Sequence, residues 1–330
     1  MLLPAFVPDD KKGNCKDMDK NIIGIDISKA HLDMFDQNGQ THRQWDNTAR
    51  GIGALIKGLL KREEECQLIF EATGPYHKAL EAGLVKAGIA YTQVNPWQAR
   101  RFAEATGQRT KTDKVDAKML ALMGQALGLN PSLRRDRVYE DLAEIEGMRL
   151  AMVDQRTAWK NRQQMLTSKA HQRFVAREIK RCDQALEHLN QEAMALLKEH
   201  PKLERRWQIL CSIKGIGRAS ALSILTNLPE IGILNQSQVA ALSGLAPRER
   251  SSGNWKGKTR ISGGRANLRK ALYMPALVAT RYNQDLKEFY TRLLEMGKPK
   301  MVALIAVMRK LIIIANSLIK NDRKWTQTRP

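Results

Sequence analysis

Residues 21–35 read NIIGIDISKAHLDMF. Ile22, Ile23, Ile25 and Ile27 give the run the β-branched, apolar character of a buried strand, yet Asp26 sits inside it. A carboxylate there costs free energy unless it is paired, hydrogen-bonded or holding a cation. Residues 31–36 predict a second strand, DQNGQ an Asn-Gly hairpin turn, and residues 41–46 a returning third strand. Beyond them the pattern predicts a helix over 48–61, a strand (CQLIFE) at 66–71 and a helix over 76–88. A strand near 90–94 and helices around 97–105 and 113–126 follow. A strand hairpin followed by alternating helices and strands predicts a mixed sheet flanked by helices, the construction of ribonuclease-H-like domains.

Three further acids share the unexpected placement of Asp26. Glu71 closes the apolar run LIFEATG at the tip of its strand, and Asp113 and Asp116 stand three apart at a helix start in KTDKVDAKML. Ligands of α/β sheets sit at the carboxyl ends of strands. Four carboxylates meeting there repel one another unless divalent cations neutralise them, and Mg²⁺ favours such oxygen donors. Taken singly, each acid has a plainer explanation. Asp26 can pair with Lys29, Glu71 can cap a helix, and Asp113 with Asp116 can favour a helix N-terminus.

The totals narrow the function classes. Lys and Arg number 55 against 34 Asp and Glu in 330 residues, a net charge of +21, which calls for a polyanionic partner and above all nucleic acid. The 4 cysteines are scattered with no CxxC, which argues against a zinc site or disulfide framework and for a reducing cytoplasm. Residues 1–17 interrupt any apolar run with prolines and acids, so they are expected to be an unstructured lead-in rather than a signal peptide, with Met18 the natural start. The most apolar segment, 301–319, carries Arg309 and Lys310 at its middle and is expected to be a core helix, not a membrane span.

Two further regions are expected. Over 138–204, Ile145, Met152, Trp159 and Leu166 recur every seven residues, and Ile179, Cys182, Leu186, Leu189, Ala193 and Leu196 alternate by three and four. This predicts a connector of two long helices, either an intramolecular hairpin or a coiled-coil contact between subunits. From 205 to 330 a mostly helical domain is expected. Its CSIKGIGRASALSIL segment has a helix–turn–helix form, with Lys214, Gly215 and Gly217 at a turn suited to presenting amides to phosphate. Between Gly244 and Pro275 lies a glycine-rich basic loop with Arg248, Arg250, Lys256, Lys258, Arg260, Arg265 and Arg269, together with Trp255. Ser251 and Ser252 lie inside it. A serine hydroxyl is a nucleophile only with assistance, and arginines around a phosphate would offset charge in its transition state.

Together the segments IGIDISK, FEATGPY, VNPWQARRFA, TDKVDAKMLA, IKGIG, LSGLAPRERSSG and LRKALYMPALVA resemble, in this order, the insertion-sequence-110 family of transposases related to the Piv/MooV DNA invertases. The resemblance spans nearly all of 19–326. It implies a RuvC-like ribonuclease-H-fold domain over 18–137 bearing an Asp-Glu-Asp-Asp tetrad, here Asp26, Glu71, Asp113 and Asp116, which would bind Mg²⁺. It further implies a transposase domain whose serine before a glycine, Ser252 or in another register Ser251, forms a covalent phosphoserine with DNA. The implied partners are donor and target DNA, a structured noncoding bridge RNA, and other copies of the chain in a dimer or tetramer, with tetrad and serine supplied by different subunits. The alternative is a metal-only ribonuclease-H-like nuclease or junction resolvase in which the serine merely binds phosphate.

Overall fold

The computed structural model describes residues 20–71, 74–107, 112–132, 136–249, 251–252, 255–257 and 259–326, with only the backbone of 251–252 and 255–256. The lead-in expected at residues 1–17 lies outside them. The chain divides into two compact units, one ending at Arg134 and the next starting at Arg135.

The first unit is built on strands β1 (Asn21–Ile27), β2 (His31–Asp36) and β3 (Thr41–Asp46). Helix α1 (Ala49–Leu60), β4 (Cys66–Glu71), α2 (Lys78–Ala87), β5 (Ala90–Val94), α3 (Pro96–Ala105) and α4 (Asp113–Leu127) follow. The five strands lie in the order β3-β2-β1-β4-β5. β1, β2 and β3 pair antiparallel, whereas β1, β4 and β5 run parallel, so the sheet is mixed as expected.

Period-two alternation sorts the side chains onto two faces. Ile23, Ile25 and Ile27 join Leu32, Met34, Leu68 and Phe70 in a core beneath Ile52 and Leu55 of α1 and Leu80 and Leu84 of α2. On the other face Ile69 and Val94 pack with Leu120 and Met123 of α4, flanked by Ala99 and Phe102 of α3. Phe35 packs there against Ala117 and Ala121 of α4.

The β2–β3 turn differs from the Asn-Gly expectation. Asp36 pairs with Thr41, so four residues form the loop, and the left-handed position falls on Gln40 (φ 47°) rather than on the glycine. The Asp36 carboxylate holds the loop by accepting from the Gly39 amide at 3.2 Å and from the Asn21 side chain at 2.8 Å. Arg62 lies 2.6 Å away, and these partners hold the Asp36 carboxyl below its ordinary range against the cost of burial.

The second unit opens with two long helices, α5 (Arg137–Gln164) and α6 (Lys169–Glu199). Val175, Cys182, Leu186, Leu189, Ala193 and Leu197 of α6 are buried within the single chain, against α5, with Trp159 and Phe174 edge-to-face at 6.1 Å and Arg156 bonded to Asp183 at 2.9 Å. The three-four seam is therefore covered as an intramolecular hairpin, and a coiled coil between subunits is not what buries it. The seam ends on Leu197 rather than Leu196 because a straight helix drifts from a strict heptad.

Helices α7 (Pro201–Ser212), α8 (Arg218–Asn227) and α9 (Gln236–Leu242) follow. The short strands β6 (Pro247–Arg248), β7 (Ser251–Ser252), β8 (Trp255–Lys256) and β9 (Arg260–Ile261) come next, and α10 (Ala266–Tyr282), α11 (Gln284–Glu295) and α12 (Lys300–Lys320) complete the unit. By length and composition α12 is apolar enough to cross a membrane, but it buries Ala303, Leu304, Val307, Leu311 and Ala315 in the core of this unit. Lys310 rests over the Phe289 ring at 4.4 Å.

A buried ion pair within α5 is tied to α8 through Ser223. Arg149 donates to Glu146 at 2.6 and 2.9 Å, and Glu146 also accepts from the Ser223 hydroxyl. All three side chains are nearly inaccessible to solvent.

Candidate active site and nucleic-acid interface

The pairing of Ile25 with Phe70, carried one residue further, sets Asp26 beside Glu71 on adjacent parallel strands. Alternation turns both away from the isoleucine core and toward the face that α4 covers. Helix α4 begins at Asp113, where Thr112 caps it by accepting from the Val115 amide at 3.4 Å. Asp113 and Asp116 both lie in this first turn, where the unsatisfied amides and helix dipole favour negative charge.

Glycine brings this helix close. A methyl group at Gly24 would collide with the Ala117 carbonyl oxygen and come within 2.6 Å of the Ala121 nitrogen. Gly124 makes the reciprocal approach, since a methyl there would meet Ile69 at 2.6 Å and Ile22 at 2.8 Å. Backbone-to-backbone docking of α4 on β1 carries its acidic first turn to Asp26.

Electrostatics register this convergence. The Asp26 carboxyl is pushed up to about 6, first by burial and then by the negative charges of Asp116, Asp113 and Glu71; the Ile27 amide partly offsets them. All four acids thus act on one locus. Among the described residues no three His, Cys, Asp or Glu side chains stand close enough to enclose an ion as they are placed. The donor chemistry nevertheless fits a hard divalent cation, being made only of carboxylate oxygens whose mutual repulsion a cation would relieve.

Sequence reasoning missed a fifth acid in this row. Asp33 pairs directly with Asp26 across β1 and β2 and is 3 % exposed. Its two oxygens accept from Gln44 at 3.0 and 3.1 Å, and His42 Nε2 stands 3.2 Å away. The alternation of HLDMFD was enough to place Asp33 on the face of Asp26.

In the second unit, β6 pairs with β9, and β7 pairs with β8 in the register Ser251 with Lys256 and Ser252 with Trp255. The serines therefore lie on a small hairpin with basic residues along it. Arg248 and Arg260 face each other at its stem and are exposed. Arg250 and Lys258 lie outside the described residues.

Arg265 departs from the expected phosphate contact. It is 4 % exposed, its guanidinium bonds Glu230 twice at 2.7 Å, and it also donates to the Asn227 carbonyl at 2.9 Å. Its side chain is structural, anchoring the foot of the serine loop at the start of α10, because a buried guanidinium needs a carboxylate. Gly244 and Gly264, both at positive φ, touch beside it and close the loop base, where a methyl on either would strike backbone. Arg269 donates to the Gly263 carbonyl at 2.8 Å.

The turn from Ile213 to Gly217 joins α7 to α8 as expected. Ile213 and Ile216 are buried, Lys214 is exposed, and Gly217 begins α8. Gly215 has φ 114°, and a methyl there would come within 2.8 Å of both the Pro275 carbonyl and the Ala279 side chain. Close packing on α10 is enough to require that glycine.

Comparison with known proteins gives a consistent result. Residues 23–171 match a family model described as Transposase (DEDD_Tnp_IS110), and residues 207–291 match Transposase IS116/IS110/IS902 family. The chain is 30 % identical to the Pilin gene-inverting protein of Moraxella lacunata over 327 residues, covering 93 % of this chain and 98 % of the relative. The Moraxella bovis protein of that name is 29 % identical over the same length. An Insertion element IS110 uncharacterized 43.6 kDa protein of Streptomyces coelicolor is 25 % identical over 144 residues, 43 % of this chain and 35 % of the relative. Among solved structures, T. thermophilus RuvC in complex with Holliday junction substrate covers 34 % of this chain and 99 % of its own, at 13 % identity and a TM-score of 0.27, a likeness too slight to carry an argument.

Proposed function

The chain belongs to the IS110 family of transposases and is a DNA recombinase, and from that premise we propose that it cuts and rejoins donor and target DNA through a phosphoserine on Ser252. The observation that carries this reading is the convergence of Asp26, Glu71, Asp113 and Asp116 at one end of the sheet. The strand order β3-β2-β1-β4-β5, with its antiparallel half and parallel half, supports a ribonuclease-H-like, RuvC-like domain.

The four carboxylates would hold Mg²⁺, which when bound supplies charge neutralisation at the scissile phosphate. The chain's own residues do the rest. Asp26 and Glu71 lie on strands, and Asp113 and Asp116 on a capped helix, so the fold sets their backbones and the side chains would close on the ion as it binds. Ser252 Oγ gives up its proton as it attacks phosphorus, the bond from phosphorus to the neighbouring nucleoside oxygen breaks, and a proton passes to that oxygen as it leaves as a hydroxyl. The exposed Arg248 and Arg260 flank the hairpin and favour the phosphate's developing charge. Attack by the departed hydroxyl of another strand reverses the step, restores the serine and joins the new ends.

The family resemblance also supports a bridge RNA as guide and a dimer or tetramer in which tetrad and serine come from different subunits. The net charge of +21 suits both nucleic acids.

The test uses full-length protein, RNA transcribed from the element's flanks, supercoiled donor and target, and Mg²⁺. A protease-sensitive protein–DNA adduct is expected with wild type and Ser251→Ala and absent with Ser252→Ala and Asp26→Ala. Strand cleavage that survives Ser252→Ala but not Asp26→Ala would replace this reading with a metal-only nuclease.

A further inference from the structure

Helix α3 carries an exposed aromatic that the fold does not need. Trp97 is 61 % exposed, and α3 buries none of its residues fully. Its inner side, Ala99 and Phe102, packs on the α4 face of the sheet, while Trp97, Arg100, Arg101 and Glu104 form the outer side at helical spacing. The Arg101 guanidinium lies 5.5 Å from the indole centroid, and Glu104 bonds Arg101 at 2.8 Å and Arg100 at 3.3 Å. Two arginines against one glutamate leave the face positive. Asn95 holds the start of the helix by accepting from the Trp97 amide at 2.8 Å, which fixes the backbone beneath the indole.

The position relative to the acids follows from register. Glu71 pairs with Val94, and Trp97 comes three residues after Val94. Three residues span at most about 11 Å, and one strand spacing adds about 5 Å. Trp97 therefore stands within roughly 16 Å of Glu71 at the Cα level, on the same sheet face as the tetrad. That is the reach of a few nucleotides.

We propose that Trp97, with Arg101 against its ring, is a stacking platform for an unpaired base of the DNA strand lying across the acidic cluster. A large, exposed indole is costly on a protein surface unless it meets a partner, and base stacking on an aromatic is insensitive to base identity. Arg100 and Arg101 then face the adjoining phosphates. The assignment of DNA rests on the proposed reading of the acids as the cleavage site, since the strand beside them is the one being cut.

The experiment uses the full chain in EDTA with a short single-stranded DNA carrying 2-aminopurine, the same sequence as a duplex, and the same sequence as RNA. Wild type should quench the single-stranded DNA probe, and Trp97→Phe should retain most of the quenching. Trp97→Ala should abolish it and weaken affinity roughly 5- to 100-fold, with an unchanged melting temperature because the side chain is exposed. Quenching by Trp97→Ala equal to wild type overturns the proposal. So does Trp97-dependent quenching confined to the RNA probe or equal on the duplex. Because binding is read without cleavage, this outcome is separate from that of the Asp26→Ala cleavage test.

Discussion

Gly24 of β1 lies directly against the Ala117 carbonyl of α4, closer than any side chain would permit. Asp26 is two residues along the same strand, and Asp116 is one residue before Ala117, so this contact sets the distance between two members of the acidic cluster.

Gly24→Ala is therefore expected to push α4 off the sheet. Overpacking of this kind costs about 1–3 kcal/mol, and cleavage should fall more than stability explains because Asp113 and Asp116 move with the helix. Urea unfolding together with Mg²⁺-dependent cleavage checks this. Full activity in a folded Gly24→Ala protein would show that α4 docking does not set the site.

Asp26 predicts a pH dependence. Its carboxyl is raised from the ordinary 3.8 to about 6, so the folded state binds more protons than the unfolded chain between those values. Its contribution favours folding at low pH and is lost as pH rises through about 6. Without divalent cation, Asp26→Asn should melt higher than wild type at pH 8, with the gain shrinking toward pH 4. Added Mg²⁺ should raise the wild-type melting temperature more than that of the variant. A variant less stable at pH 8 would contradict the repulsion among the four acids.

The loop arginines should separate into two classes. Arg265→Ala removes the buried guanidinium that bonds Glu230 and the Asn227 carbonyl and should cost about 3 kcal/mol, the low end for a broken buried pair because Glu230 is partly exposed. Arg248→Ala and Arg260→Ala should leave stability nearly unchanged and each lower the salt slope of DNA binding by about 1. Thermal melts and binding titrations at several salt concentrations measure both effects.

The Glu146–Arg149–Ser223 network predicts strong non-additivity. Arg149→Met alone strands a buried carboxylate and should destabilise by about 3–5 kcal/mol, whereas Glu146→Leu, Arg149→Met and Ser223→Ala together should recover most of that loss. A double-mutant cycle in denaturant reads the coupling. Additive losses would mean that the three groups act independently.

Much of the first unit was legible because its signals are local. The strands at 31–36, 41–46, 66–71 and 90–94 appear where alternation and turn residues put them. The β2–β3 turn was legible as a turn but not in type, because Asp36 and Asn21 bind the loop and shift the left-handed position to Gln40. Arg265 looked like its basic neighbours, since no local pattern reveals that Glu230, 35 residues away, covers its guanidinium. Trp97 was legible as part of a motif, but whether α3 buried it depended on which side faced Ile69 and Val94.

By itself the sequence determined the elements of the first unit, the basic charge and the four acids at the ends of strands and helices, because periodicity, capping and turn chemistry act over a few residues; the short strands β6 to β9 of the serine loop carry no such local signal. Only the tertiary structure decided that Asp26, Glu71, Asp113 and Asp116 share one locus, and that the α6 seam closes on α5 of the same chain. The first outcome depends on strand order and on the docking of α4 at Gly24, contacts between residues 45 to 102 positions apart in the chain for the acids and β1–α4. No local propensity encodes them; they arise when the buried faces of separate elements find the one arrangement that fills the space between them.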